Sequence, residues 1–285
     1  MFATFGRTWE ITKICWRILR QDRELVLFPI FSGLAMLMLA ALVMGLGGAT
    51  GVFERLGAAD PQAALQGGDI VLALAAYFAL SFIVIYFNVA LVGAAMIRIR
   101  GGDPKVSDGL RIATSRIPQI AGWAAITATV GLVLRLLRNQ ARDNMFGQII
   151  VSMLGGIWAY LTFFVVPILV VEGLGPIGAI KRSGALFKQT WGEQFVSNFG
   201  FGLLFFGAVV VGIVPAALLA NASPALGIAV GVVTVGAAAA IVSSLEGIFK
   251  AALYEYAAEN VVAGEFSPDL LAQSYVQRRE RGGYI

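Results

Sequence analysis

The sequence predicts an all-α protein, a polytopic bundle of transmembrane helices, and two observations carry that prediction. The chain of 285 residues is 58% hydrophobic and only 13% charged, whereas a soluble domain carries about 25% charged residues. The charges are also unevenly placed. Long stretches without Asp, Glu, Lys or Arg lie between Asp69 and Arg98, Arg116 and Arg135, Asp143 and Glu172, and Glu193 and Glu246. Such stretches are typical of helices that cross a hydrocarbon layer, which takes about twenty residues each.

Six spans follow from this pattern. We predict them at residues 25–48, 70–97, 117–137, 148–171, 197–221 and 225–248. They form a single membrane domain over residues 1–263, and residues 264–285 form a cytoplasmic tail. Placing both termini in the cytoplasm leaves 17 of the 21 Lys and Arg residues on that side. The positive-inside rule therefore predicts an N-in, C-in topology, and it explains the net charge of +4 without a nucleic-acid partner.

A basic amphipathic segment precedes each odd-numbered span, at residues 5–23, 107–117 and 176–191. Basic amphipathic helices with interfacial Trp lie in the plane of an anionic leaflet, which predicts three surface helices on the cytoplasmic face. We expect six basic side chains of the first and third helices to contact lipid headgroups: Lys13, Arg17, Arg20, Lys181, Arg182 and Lys188.

A short motif recurs where each even-numbered span reaches the cytoplasm. The three copies are "FNVAL" at 87–91, "FVVPI" at 164–168 and "FKAAL" at 249–253. Together with the surface helices, they lead to the hypothesis of a threefold repeat whose unit is a surface helix, a span out and a span back. Asn88 and Lys250 occupy equivalent positions in this repeat.

The residue types for catalysis are scarce. The chain has no histidine, and Cys15 is its only cysteine. Histidine acid–base chemistry and His/Cys zinc sites are therefore excluded, and the carboxylates have no metal-ligand spacing. We expect no enzymatic activity, no cofactor and no metal, with Cys15 as a small buried residue on an amphipathic helix.

The stretch "SSLEGIFKAALYEYA" at 243–257 carries the main candidate site. Glu246 and Lys250 lie one helical turn apart, and with Asn88 and Tyr254 they form a candidate cytoplasm-facing polar site. The alternative is that this stretch only marks the exit of the sixth span, with tyrosines in the interfacial belt.

A second cluster of charge, an outer basic stripe, follows the third span and consists of Arg135, Arg138 and Arg142. These arginines either snorkel to lipid phosphates or form an anion-attracting vestibule on the outer face. Elsewhere, Gly227 and Gly231 form a GxxxG motif in the sixth span, which predicts close helix packing within the chain or a homo-oligomer interface.

Four segments carry a resemblance to a known family: "ILRQDRELVLFPIFSG" at 18–33, "GGDPKVSDGLRIATSRIPQIAGW" at 101–123, "PILVVEGLGPIGAIKRSGALFKQTWGE" at 167–193 and "ALYEYAAENVVAGEF" at 252–266. The chain resembles six-span prokaryotic membrane proteins of unknown function. The third segment also resembles the membrane domains attached to some glycerophosphodiesterases. The resemblance implies a multi-pass protein of the prokaryotic cytoplasmic membrane and no particular activity.

Two functions are compatible with these patterns. The first is a non-catalytic membrane protein that organises, senses or handles lipid at the cytoplasmic leaflet, with anionic membrane lipids as partners. The second is a channel or facilitator for a small solute or ion, either monomeric or oligomeric.

Overall fold

The computed structural model describes residues 2–57, 67–142, 144–191, 210, 213–220 and 223–259. These residues are helical without strands. The first half contains α1 (Phe2–Gln21), a 3-10 turn (Arg23–Val26), α2 (Leu27–Ala49), α3 (Val52–Gly57), α4 (Gly67–Ile99) and α5 (Val106–Ser115). The second half contains α6 (Ile117–Gln140), α7 (Met145–Thr162), α8 (Val165–Val171), α9 (Pro176–Trp191) and α10 (Pro224–Glu259).

Five helical segments in the described residues are long and apolar enough to cross a membrane, and they match the first four and the sixth predicted spans. They are Arg23–Ala49, Gly67–Ile99, Ile117–Gln140, Met145–Val171 and Pro224–Glu259. The fifth predicted span, 197–221, lies largely outside the described residues, although its residues 213–220 are helical. The tail at 264–285 lies entirely outside them. Six spans and the N-in, C-in topology therefore remain predictions.

Proline interrupts the fourth predicted span. Pro167 has no N–H to donate to the carbonyl of Phe163, and the helix breaks there into α7 and α8. The backbone N–H of Phe164, at this break, instead donates to Oγ of Ser183 over 2.9 Å. The buried serine of α9 thus satisfies a donor at the break and ties α9 to α8.

Burial is concentrated at one end of the bundle, which we call the core end. A single apolar cluster there combines the first turns of α2 and α6, the last turns of α4 and α10, and α8. Its largest fully buried side chains include Phe28, Phe164, Phe187 and Tyr254. At the opposite end, the far end, many large apolar side chains are exposed, among them Met38, Met44, Val71, Met145, Phe146 and Val233. The far halves of these helices therefore present apolar surface outward, as a lipid environment requires.

The three predicted surface helices form as α1, α5 and α9 and have amphipathic surfaces. Their apolar faces, however, pack on the protein itself. Ile14 and Cys15 of α1, Ala113 of α5, and Leu186 and Phe187 of α9 are all buried in the core cluster. The prediction of helices lying in the leaflet placed these apolar faces in lipid. In the structure they are instead buried against the apolar ends of the spans, which removes the same surface from water. The basic faces, the rings of Trp9 and Trp16 and the side chain of Ile177 remain outward.

The three recurring motifs meet in the same core. Val89 and Leu91, Phe164 and Ile168, and Leu253 all belong to the buried cluster. The meeting of these motifs is a packing relationship, and the superposition of three hairpins remains a prediction.

Candidate functional site

A cleft of about 380 Å³ lies between α2, α4 and α10, close to the core end. Three of the four predicted polar site residues, Asn88, Glu246 and Lys250, line it. Ser32 of α2 adds a further hydroxyl. The exposed side chains of Val84 and Ser243 stand at its rim, so the cleft opens on the side of the described bundle.

Small residues on α10 create this cleft. Gly236, Ala239, Ala240 and Gly247 leave space beside α2 and α4 because they carry little or no side chain. At Gly247 the two helices are in close contact, since a Cβ atom there would lie 2.6 Å from Cδ2 of Leu91. At Gly236 a Cβ atom would meet no heavy atom within 4 Å. The helices therefore touch at Gly247 and separate toward the far end.

Helices α4 and α10 run parallel, which sets the order of the polar groups. Leu91 lies beside Gly247, and farther along both helices Arg100 pairs with Glu255 over 2.8 Å. Asn88 precedes Leu91 by three residues, and Lys250 follows Gly247 by three residues. At about 1.5 Å per residue, Asn88 lies about 9 Å deeper toward the far end than the Cα atom of Lys250.

The charged pair at the mouth is well formed. Nζ of Lys250 lies 2.7 Å from Oε1 of Glu246, and the lysine side chain is 24% exposed. The same Nζ atom lies 5.9 Å from the centre of the Phe163 ring, within the range of a cation–π contact. The ammonium is thus held near the cleft mouth by two neighbours.

Asn88 is the unusual member of the cleft. Its Oδ1 atom is buried and has no hydrogen-bond partner within the described residues. A buried polar atom without a partner costs about 1–3 kcal/mol, so such atoms usually meet a protein group, a water or a ligand.

Tyr254, the fourth predicted site residue, does not line the cleft. Its hydroxyl donates to Oε1 of Glu172 over 2.9 Å, and Nε of Arg182 donates to the same oxygen over 3.0 Å. The rise along α10 explains the separation: Tyr254 lies on the same side of the helix as Lys250 but about 6 Å farther along it, past the end of the cleft. No sequence pattern indicates this group of three hydrogen-bonded residues, because Glu172 follows α8, Arg182 lies on α9 and Tyr254 lies on α10.

The expected headgroup contacts are distributed over two helices. Five of them are exposed: Lys13, Arg17, Arg20, Lys181 and Lys188. Nζ of Lys13 lies 5.6 Å from the centre of the Trp9 ring. Arg182, by contrast, is half-buried and engaged with Glu172.

The outer basic stripe divides in the structure. Arg138 and Arg142 line a second, smaller hollow of about 270 Å³ between α6 and α7, together with Gln148 and Ser152. Arg135 is exposed and lies outside this hollow. The backbone carbonyl of Arg142 accepts a hydrogen bond from Nε2 of Gln148 over 2.7 Å.

Further ion pairs that sequence reasoning missed link the connecting segments at the core end. Arg98 pairs with Asp22 and with Asp103, and Arg100 pairs with Glu255 and Glu259. Except for Asp103, five residues from Arg98, the partners lie far apart in sequence, so no local pattern indicates those pairs. Among the described residues, no group of three or more carboxylate or thiol side chains is placed to hold a metal ion.

The five long apolar helices among the described residues indicate a multi-pass membrane protein. More particularly, the chain belongs to a family of unknown function, DUF6159, whose model matches residues 68–264. Comparison with curated proteins finds no match, and neither does comparison with solved structures.

Proposed function

We propose that the protein is a non-catalytic membrane protein that binds and handles lipid through the cleft between α2, α4 and α10. The observation that supports this most is the distribution of polarity along the cleft. Toward the far end it is lined by Met36, Val84, Gly236 and Ala239. Asn88 comes next, and the charged pair of Glu246 and Lys250 lies at the mouth, toward the core end. An apolar wall that ends in charged groups complements an amphiphile.

The position of the cleft supports the same function. From Gly236 to Lys250 it extends 14 residues along α10, or about 21 Å, compared with a hydrocarbon core of about 30 Å. The cleft is open at the side of the described part of the bundle, and in this proposal a lipid enters there directly from the bilayer. In this proposal the core end faces the cytoplasm of a prokaryotic cell, and the exposed basic faces of α1 and α9 contact anionic headgroups.

Photocrosslinking in nanodiscs tests the proposal. A phospholipid with a photoactivatable group on its acyl chain is expected to label residues around Ser243. Gly236→Leu should fill the deep end of the cleft and reduce this labelling several-fold. A Cβ atom at Gly236 meets no heavy atom within 4 Å, so the larger side chain can be accommodated without moving the helix. Gly156→Leu on α7 is the matched control, since Gly156 also has open space and lies outside the cleft. Equal labelling in both variants would argue against a lipid-binding cleft.

The channel or facilitator is the second candidate, because Asn88 and Lys250 line one cavity. Its weakness is the deep half, where Gly, Ala, Met and Val walls offer a hydrated solute no hydrogen bonds. It predicts flux through purified protein in liposomes that falls in Asn88→Leu and Lys250→Met. Absence of flux with any ion or small solute tried would count against it.

A further inference from the structure

We infer that the occupant of the cleft is a single-chain phospholipid with a free glycerol hydroxyl. This inference rests on the proposed lipid-binding function and specifies the ligand class for the same cleft. Three features of the described residues support it: the order of groups along the cleft, the buried acceptor on Asn88, and the volume.

The order of groups matches such a lipid from tail to phosphate. Met36, Val84 and Gly236 form the deep apolar wall, which suits an acyl chain. Asn88 comes next, at the level where the glycerol would lie. The Cα atom of Lys250 lies about 9 Å nearer the core end. Its ammonium reaches back toward Glu246, one turn earlier on α10, and so lies between these two levels, where the phosphate would follow the glycerol.

The acceptor on Asn88 selects among lipids. Its buried Oδ1 atom has no partner within the described part of the chain and can only accept a hydrogen bond. A two-chain phospholipid has both glycerol hydroxyls esterified and offers no donor at this level. A single-chain phospholipid keeps one hydroxyl there, and that hydroxyl donates to an oxygen that water reaches poorly.

Lys250 can bind the phosphate without leaving Glu246. An ammonium group has three N–H donors, and in this structure Nζ lies 2.7 Å from the carboxylate and remains 24% exposed. A second, anionic acceptor therefore has access to it. The carboxylate of Glu246 also limits the net positive charge, which disfavours a headgroup that carries several negative charges.

The volume fits one chain better than two. About 380 Å³ is at the lower end of the roughly 300–1,000 Å³ found for ligand pockets. The close contact between Gly247 and Leu91 also keeps α4 and α10 together toward the core end of the cleft, which limits its width there.

The test compares two lipids that differ in one hydrogen-bond donor. Protein in nanodiscs of diacyl phosphatidylcholine is given equal amounts of single-chain glycerophosphocholine and its glycerol methyl ether, and the bound lipids are counted by native mass spectrometry. The choline headgroup has no N–H, so the glycerol hydroxyl is the only donor that differs. We expect the hydroxyl lipid to be favoured about fivefold to tenfold, as one hydrogen bond to a buried acceptor predicts.

Variants assign that preference to residues. Asn88→Leu should bring the ratio of the two lipids to about one, while Ser81→Ala should leave it unchanged, because Ser81 bonds to its own helix at the Tyr77 carbonyl. Lys250→Met should lower binding of both lipids by about tenfold or more, as loss of a charge-assisted hydrogen bond predicts. Lys105→Met, an exposed lysine before α5 that lies outside the cleft and outside the expected headgroup contacts, should have no effect on either.

The outcomes separate this inference from the function on which it rests. Equal binding of the two lipids to the unmodified protein, or preferential retention of the diacyl lipid, overturns the single-chain assignment. If Gly236→Leu still reduces the amount of bound lipid in that case, the lipid-binding cleft itself stands. Lipid adducts unaffected by Gly236→Leu overturn the lipid-binding cleft itself. Glycerophosphocholine without an acyl chain is added as a competitor for the bound lipid. If it competes as strongly as the single-chain lipid itself, the site binds a soluble phosphodiester and the inference is overturned.

Discussion

The hydroxyl of Tyr254 donates a hydrogen bond to Oε1 of Glu172 over 2.9 Å and so joins the end of α10 to the residue that follows α8. Arg182 of α9 donates to the same oxygen. One carboxylate oxygen thus connects three helices at the core end. Because the ring of Tyr254 is buried while Glu172 and Arg182 reach solvent, the contact closes the edge of the apolar cluster.

Tyr254→Phe removes the hydroxyl and keeps the buried ring. We expect a loss of about 1 kcal/mol in the free energy of unfolding, because Glu172 retains Arg182 and water as partners. Denaturant or thermal unfolding in a mild detergent measures it. Tyr256→Phe, two residues on, is the control. A loss as large in the control as in Tyr254→Phe would show that this hydrogen bond is not the cause.

Arg100→Met should destabilise the protein more than the loss of an exposed arginine does. The variant leaves the carboxylate of Glu255 buried without its partner, and we expect a cost of about 1–3 kcal/mol. Arg111→Gln breaks an exposed pair with Asp108 and should cost less than about 0.5 kcal/mol. Unfolding curves that rank these two variants in the opposite order would contradict the prediction.

Gly109→Ala should disrupt the contact between α5 and α4. A Cβ atom at Gly109 would lie 2.6 Å from the backbone oxygen of Ala90, and neither backbone can yield without moving its helix. The overpacking should cost about 1–3 kcal/mol or more and lower the unfolding temperature. Gly48→Ala, where the added methyl group meets nothing within 4 Å, should be neutral or slightly stabilising. Equal unfolding temperatures would refute the close packing.

Cys15 should resist alkylation in the folded protein. Burial raises the pKa of its thiol, so the reactive thiolate forms only above the ordinary pKa of a cysteine, and raising the pH from about 7 to about 9 should not produce labelling. Maleimide incorporation followed by mass spectrometry should be complete only after denaturation. A Cys15→Ser variant that carries Lys13→Cys, on the exposed face of α1, should label rapidly. Fast labelling of native Cys15 would show that α1 does not pack on the core.

The orientation predicts opposite labelling of the two ends. With Cys15 replaced by Ser, a cysteine at Lys105 marks the core end and a cysteine at Thr50 marks the far end, and both positions are exposed. The N-in, C-in topology predicts that an impermeant maleimide added to intact cells labels Thr50→Cys and not Lys105→Cys. The reverse result would invert the topology.

The sequence was sufficient for the helices but only partly for the site. Apolar runs and Pro or Gly residues at their ends predict four of the five described spans to within a few residues, because the hydrocarbon layer imposes length and composition directly. The helix of the sixth span continues to Glu259, well past the predicted end at 248, because its last turns pack on the core end. Asn88, Glu246 and Lys250 could be grouped because two of them lie one turn apart and the third occupies the equivalent place in a recurring motif.

Packing between distant segments could not be predicted in the same way. The pairing of Glu172 with Tyr254 and the burial of the apolar face of α1 depend on which helices become neighbours, and hydropathy does not specify this. The amphipathic pattern of α1 is the same whether lipid or protein covers it, so the sequence could not distinguish a leaflet-bound helix from one docked on the bundle.

The unequal distribution of burial has a mechanical consequence. The described helices are held together at the core end by an apolar cluster and by charged pairs, while their far halves expose many large apolar side chains. We therefore expect a change in bilayer thickness or acyl-chain order to act first on the far halves. Because α4 and α10 separate from Gly247 toward the far end, the same change is expected to alter the width of the cleft.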